Sequence, residues 1–246
     1  MTAILEAKGL EKRFGGSVIV AGISLHVAEG ERRLIIGPNG AGKTTLLNLL
    51  SGDLSPDAGG IWFAGRRVER LSAARRARLG VGRTFQVLTL FEGNTVIENV
   101  VIAALGAQAR RWDPFTPFRK IGQAERAAME ALRMVDLLPL AAKRVADCAY
   151  GQKRRLEMAL ALAQAPKLLL LDEPFAGLSA TERSQVLDVI LNLPGEVAIV
   201  MIEHDMDVAL KFARNISVMQ AGRIVVEGSK SEVIAAPRTR EVYLGR

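Results

Sequence analysis

Eight consecutive residues, Gly37-Pro38-Asn39-Gly40-Ala41-Gly42-Lys43-Thr44, constrain this chain more than any other stretch. They match the phosphate-loop pattern G-x-x-x-x-G-K-[ST] without a mismatch. Their flanks matter as much as the match. Leu34-Ile35-Ile36 precedes them as an apolar run suited to a buried strand, and Thr45–Leu50 follows as a helix. Between two such elements, glycines let the chain curl until successive N–H groups point inward at phosphate oxygens. The helix start adds the positive end of its dipole. Lys43 then suits the β- and γ-phosphates of a nucleotide, the Thr44 hydroxyl suits Mg²⁺, and Thr45 continues the cradle. The competing interpretation is a glycine-rich strand-to-helix turn that holds no ligand. The Asn-Lys-x-Asp guanine reader of GTPases is absent from the sequence.

The second half supplies acids where such a loop needs them. Leu168-Leu169-Leu170-Leu171 reads as a strand buried on both faces, and it ends in Asp172-Glu173-Pro174. Ligands gather at the carboxyl ends of parallel strands, so Asp172 is placed to hold Mg²⁺. Glu173 points differently and suits a general base for a water attacking the γ-phosphate. The plainer alternative is an Asp-Glu helix cap. Val197–Ile202 is a second buried run, ending in Glu203-His204-Asp205. His204 is either structural or a contact for the γ-phosphate. Gly151 and Gln152 open a strong helical segment, Lys153–Gln164, that Pro166 stops. Gln86, by itself, reads as a polar surface residue, and His26 as a structural one.

Composition narrows the class. The chain has 246 residues, 33 Lys and Arg against 26 Asp and Glu, and a formal net charge of +7. That length suits a domain of about 200–250 residues with its own core. The single cysteine, Cys148, cannot make an intramolecular bridge, which fits a reducing compartment. The opening residues lack a charged-then-apolar leader, so secretion is not expected. No run of about 18 apolar residues occurs, so a membrane span is not expected either. Arginines are densest from Arg66 to Arg83, alternating with Ala and Leu as on the polar face of a helix. Such a face is either simply solvated or meets anions. Aromatics for base stacking are missing there, so nucleic acid is not the expected partner.

Coarse periodicity gives strands at 18–27 and 32–36, a small hairpin around Ile61–Val68, and helical segments from Thr95 to about Val135 around a Pro-containing loop. A helix over Ser179–Leu193 and a hairpin around Gln220-Ala221-Gly222-Arg223 complete the pattern. Alternating buried strands and helices indicate a parallel α/β sheet.

The order of phosphate loop, Gln86, Tyr150-Gly151-Gln152, Asp172-Glu173 and His204 resembles the ATP-binding cassette of ABC transporters, over essentially the whole chain. Ala176-Gly177-Leu178-Ser179 resembles that family's dimer-contacting loop. Phe14 sits where the family places an aromatic against adenine. The resemblance implies an α/β P-loop NTPase fold, RecA-like with a mostly parallel sheet, an antiparallel β subdomain and an inserted α-helical subdomain near residues 91–160, all in one domain, 1–246. It implies ATP and Mg²⁺ as ligands, with Glu173, His204 and Gln86 catalytic and with Thr44, Gln86 and Asp172 around the metal. It further implies a second cassette, as homo- or heterodimer, whose phosphates meet Gly151 and Gln152 in trans.

A narrower resemblance, to the cassettes of branched-chain amino-acid importers, rests on Arg83-Thr84-Phe85-Gln86, Thr95-Val96-Ile97-Glu98-Asn99-Val100, Tyr150-Gly151-Gln152 and Val242-Tyr243-Leu244-Gly245. It implies permease subunits, an indirect solute-binding partner, and a place on the cytoplasmic face of the inner or plasma membrane. Related amides or urea as cargo, an exporter cassette, and a soluble ABC ATPase remain as alternatives. One departure stands out: the usual Leu-Ser-Gly-Gly-Gln signature reads Cys148-Ala149-Tyr150-Gly151-Gln152 here. Ala149 lacks the hydroxyl, and a lost hydrogen bond to a charged group is worth roughly 1.5–3 kcal/mol. Unequal sites in a heterodimer would follow.

Overall fold

The computed structural model describes residues 2–84, 90–106, 118–204 and 210–244. Two sheets carry the chain. The first is antiparallel, built from β1 (Ala3–Phe14), β2 (Ser17–Ala28), β4 (Ala58–Phe63) and β5 (Arg66–Arg67) in the order β2-β1-β4-β5. The second is built from β3 (Arg32–Ile36), β6 (Val81–Arg83), β7 (Leu168–Asp172), β8 (Ala198–Ile202), β9 (Asn215–Gln220) and β10 (Arg223–Ser229). Its order is β10-β9-β3-β8-β7-β6, parallel throughout except for β10.

The central strands are buried on both faces because helices cover each side. Every residue of β3, β7 and β8 is buried. Alternation sorts their side chains into two cores. Ile35, Leu168, Leu170, Val200 and Ile202 join the antiparallel sheet and α1 (Lys43–Ser51). Leu34, Ile36, Leu169, Leu171 and Met201 face the other way. There they meet α3 (Val96–Gly106), α4 (Phe118–Met134), α5 (Tyr150–Leu162) and α6 (Ala180–Leu191). The helices α3, α4 and α5, which lie between β6 and β7 in the chain, pack on one another.

Register then determines where the chemistry falls. Ile35 of β3 pairs with Ile202 of β8, and Ile202 pairs with Asp172 of β7. The three strands therefore end in one row. The phosphate loop, Glu203-His204 and Glu173 leave the sheet from the same edge, the carboxyl edge where ligands collect.

The basic stretch is not one helix face. Arg66 and Arg67 lie in β5, Arg83 in β6, and only Ala73–Leu79 is helical, as α2. Arg76 points inward and is fully buried. Its guanidinium donates to the carbonyls of Leu49 and Leu50 in the last turn of α1, and to those of Glu69 and Leu71. The last carbonyls of a helix have no intrahelical partner, so Arg76 closes the far end of the helix that the phosphate loop opens. Burial pushes its pKa down to about 10, which leaves it charged at neutral pH. Strand β1 is obscured in the sequence because its pairing with β2 shifts register between Ala7 and Leu10, which breaks the period of two. The closing helices α7 (Lys230–Ala235) and α8 (Pro237–Leu244) also carry no strong periodic signal.

Removing Arg76 strands several buried acceptors. Arg76→Ala is expected to lower the free energy of urea unfolding by about 3 kcal/mol or more. Arg75→Ala, at an exposed neighbour, is expected to stay within about 0.5 kcal/mol of wild type. Equal effects would remove Arg76 from its bracing role.

Candidate nucleotide-binding site

The loop between β3 and α1 is shaped by backbone contacts that only glycine permits. Gly37 has φ 155°, and a Cβ there would lie 2.2 Å from the Met219 carbonyl oxygen. Gly42 has φ 95°, and a Cβ there would lie 2.5 Å from the Ile19 carbonyl oxygen. The loop is thereby clamped between β9 and the β1–β2 hairpin. Within it, Ala41 N–H donates to the Pro38 carbonyl, and Gly222 N–H donates to that of Ala41.

Gly42 caps α1 in a left-handed conformation, with no side-chain cap and no acid in the first turn. The helix start thus keeps its positive end for an outside anion. Lys43 is buried, and its ammonium donates to the carbonyls of Gly37 at 2.8 Å and Pro38 at 3.0 Å. Burial pushes its pKa down, while the nearby Glu173 and Asp172 carboxylates pull it back up. Thr44 is exposed and Thr45 half-buried on the same first turn.

Asp172 lies across the row. It is 1% exposed, and among the described residues neither carboxylate oxygen has a hydrogen-bond partner. Its compensating charge is Arg83, with Nη2 at 3.6 Å from Oδ2. Arg83 is itself held by Ser51 Oγ and the Asp53 carboxylate. Burial raises the Asp172 pKa, Arg83 and Lys43 oppose that, and Glu173 adds to it. A buried carboxylate with two open oxygens beside a hydroxyl-bearing helix start is chemistry suited to a hard cation such as Mg²⁺, which keeps waters and phosphates as its other ligands.

Glu173 turns the chain at φ 48°, outside the range that L residues favour, and its N–H donates to the Ile202 carbonyl. Such strain persists where surrounding structure fixes it, as at functional sites. Its Oε1 lies 3.7 Å from Nδ1 of His204. His204 is mostly exposed, while its N–H donates to the buried Glu203 carboxylate. Lys43, Asp172, Glu173 and His204 therefore share one edge of the sheet.

The remaining sequence candidates fall elsewhere. Phe14 ends β1 with its ring half-exposed, 5.7 Å from the Lys12 ammonium. It pairs with Ser17, two residues before the Ile19 carbonyl that abuts Gly42, so the hairpin tip adjoins the loop. Gly151 and Gln152 lie in the first turn of α5. Ala149 gives that helix no side-chain oxygen, so Gln152 accepts the Ala149 N–H and Glu182 of α6 accepts that of Gly151 at 3.1 Å. Gln86 lies outside the described residues. Sequence reasoning passed over Arg83 and Glu182. Arg83 was hidden among the other arginines, although it immediately precedes the segment that contains Gln86. For Glu182 the available signal was the Ser179-x-x-Glu182 capping box, which the structure forms.

A glycine loop opening a helix, facing two acids at the carboxyl edge of a parallel sheet, defines a nucleotide-binding P-loop fold. Comparison with known proteins narrows this. Residues 20–176 match the ABC transporter family. The chain is 38% identical to the high-affinity branched-chain amino acid transport ATP-binding protein BraF of Pseudomonas aeruginosa, covering 98% of each. It is 36% identical to LivG, the protein of the same description from Escherichia coli K12, again over 98% of each. Among solved structures it resembles the ADP conformation of MJ1267, an ATP-binding cassette of an ABC transporter, with a TM-score of 0.87 and 28% identity over 100% of both chains. The chain belongs to the ABC transporter family, as an ATP-binding ATPase cassette.

The raised pKa of Asp172 predicts a cost that the site carries when empty. A carboxyl whose pKa folding raises favours the folded chain most fully below its ordinary value of 3.8. It loses that advantage as pH climbs through the folded value. At pH 7 the ionised Asp172 therefore weakens the nucleotide-free chain. Asp172→Asn is expected to raise the thermal midpoint at pH 7, by about 2–4 °C per kcal/mol relieved. The gain should shrink towards pH 4, and magnesium-dependent ATP hydrolysis should be lost. A lower midpoint at pH 7 would contradict the assignment.

Proposed function

We propose that this chain is the ATP-hydrolysing subunit of an importer for branched-chain amino acids or a related small amide, seated on the cytoplasmic face of the membrane. The observation that carries the catalytic part is the shared row of Ile35, Ile202 and Asp172, from which Lys43, Glu173 and His204 converge. The cargo class is supported by near-full-length identity to relatives described as branched-chain amino acid transport ATP-binding proteins. No described helix is long and apolar enough to cross a membrane, so permease subunits would form the path, and a solute-binding protein would act indirectly.

Each residue has a part in this reading. Phe14 stacks on the base. Gly37 to Thr45 wrap the phosphates, and Lys43 exchanges the Gly37 and Pro38 carbonyls for phosphate oxygens. Thr44, Asp172 and Gln86 would hold Mg²⁺, which would supply charge neutralisation to the phosphates. Glu173 takes a proton from water as that oxygen bonds to the γ-phosphorus and the bond to the ADP oxygen breaks. His204 orients that water.

A second cassette, identical or related, offers the start of its signature helix to the same phosphate, through Gly151 and Gln152. ATP binds the closed pair better than the open one, and this difference moves the permease. Residues 91–160 act as the helical subdomain that meets it.

Glu173→Gln tests the reading. In the chain reconstituted with its permease, ATP affinity is expected to stay within about threefold. ATP turnover and leucine uptake are both expected to fall, by about 10²-fold or more. Unchanged turnover would refute the role of Glu173, and uptake only of solutes that are neither branched-chain amino acids nor small amides would refute the cargo class.

A further inference from the structure

The positive charge of this chain is concentrated. Residues 66–83 hold seven arginines and one glutamate, against a net charge of +7 for the whole protein. The structure sorts six of these arginines into two sets, and the seventh, Arg70, is exposed and lies outside the cavity described below. Arg76 is buried on backbone carbonyls, and Arg83 is bonded to Ser51 and Asp53. Arg67 pairs with Glu69 and lies over the Trp62 ring. Arg76 and Arg83 are thereby committed to the fold, and the exposed Arg67 has its charge met by Glu69.

Arg66, Arg75 and Arg78 are exposed and, among the described residues, pair with no carboxylate. They line one cavity of about 320 Å³, and the other lining residues are Leu71 and Leu79. No acid lines it. The one Glu of the stretch is turned to Arg67, and Asp53 is turned to Arg83.

We propose that this cavity binds the phosphodiester headgroup of an anionic membrane lipid. Guanidinium groups present forked donors that match phosphate oxygens in pairs, and clustered arginines near a membrane surface are drawn to its negative potential. Leu71 and Leu79 give the cavity an apolar side, which suits the glycerol and first acyl carbons behind a phosphate. Such a side gains nothing from a free phosphate ion or from a row of acidic side chains. The site lies at α2 and β5, apart from the nucleotide edge, and supplies this cassette with its own hold on the bilayer beside the one a permease gives. It rests on the proposed membrane location for its setting only, because the isolated chain binds lipid or does not whatever its cargo.

Flotation of the purified full chain with vesicles tests the site. Vesicles of mixed phosphatidylglycerol and phosphatidylcholine are expected to carry the protein, and pure phosphatidylcholine vesicles are not. Each arginine near a charged surface contributes about fivefold, so the triple variant Arg66→Gln, Arg75→Gln, Arg78→Gln should lose about 100-fold in partitioning. A control of equal charge change, Arg126→Gln, Arg214→Gln, Arg223→Gln, should lose less than about threefold.

Both triple variants are expected to keep wild-type ATP hydrolysis and far-ultraviolet circular dichroism. Inorganic phosphate at the ionic strength of a chloride control should displace no more protein than the chloride does. The proposal is overturned if the two triple variants lose binding equally, if inorganic phosphate competes fully, or if an acidic peptide binds the wild type while anionic vesicles do not. Loss of amino-acid uptake with vesicle binding intact in the wild type would strike the cargo reading and leave the lipid site standing.

Discussion

Two opposite charges, Lys43 and Asp172, are buried at one edge of the central sheet, and the rest of the architecture serves to hold them there. Burying an ion without full compensation costs several kcal/mol even after relaxation. Neighbouring groups soften this cost from outside the pair. Lys43 is solvated by two loop carbonyls, and Asp172 faces Arg83 at a distance too long for a hydrogen bond. The compensation is incomplete, which leaves both groups suited to an outside partner.

Several layers of packing make that arrangement rigid. The alternation of β3, β7 and β8 buries every side chain they carry, so a slip of one residue would exchange the side chains of the two cores and misfit both. Gly37 and Gly42 let the carbonyls of Met219 and Ile19 close on the loop from both sides. Arg76 fixes the opposite end of α1. The strained turn at Glu173 leaves its carboxylate 3.7 Å from His204 Nδ1. A second tie links the start of α5 to that of α6. Glu182, set by the Ser179 capping box, accepts the Gly151 N–H that Ala149 is unable to cap. Engagement of that N–H by an outside phosphate requires Glu182 to yield, since both are anions.

The features legible in the sequence were those written in contiguous residues. The phosphate loop, the all-Leu strand before Asp172 and the helix that begins near Ser179 each announce themselves within a dozen positions. What escaped was set by partners distant in the chain. Strand β1 loses its alternation to register shifts against β2. Strand β6 has three residues and exists through its pairing with β7. Arg76, Arg83 and Arg66 look alike in a list of letters. One braces a helix, one faces a carboxylate and one opens to solvent, and only the fold divides them. Glu182 reads as an ordinary capping residue until α5 is brought against it.

The central claim is that a metal-bound triphosphate replaces the provisional partners of Lys43 and Asp172. A crystal structure of the Glu173→Gln chain grown with magnesium and ATP tests this most directly. The account predicts that the Lys43 ammonium leaves the Gly37 and Pro38 carbonyls for the β- and γ-phosphate oxygens. It also predicts that an open oxygen of Asp172 faces the magnesium ion, directly or through one water. Nucleotide bound elsewhere, or bound here with Lys43 still on the loop carbonyls and Asp172 still facing Arg83 alone, would contradict it.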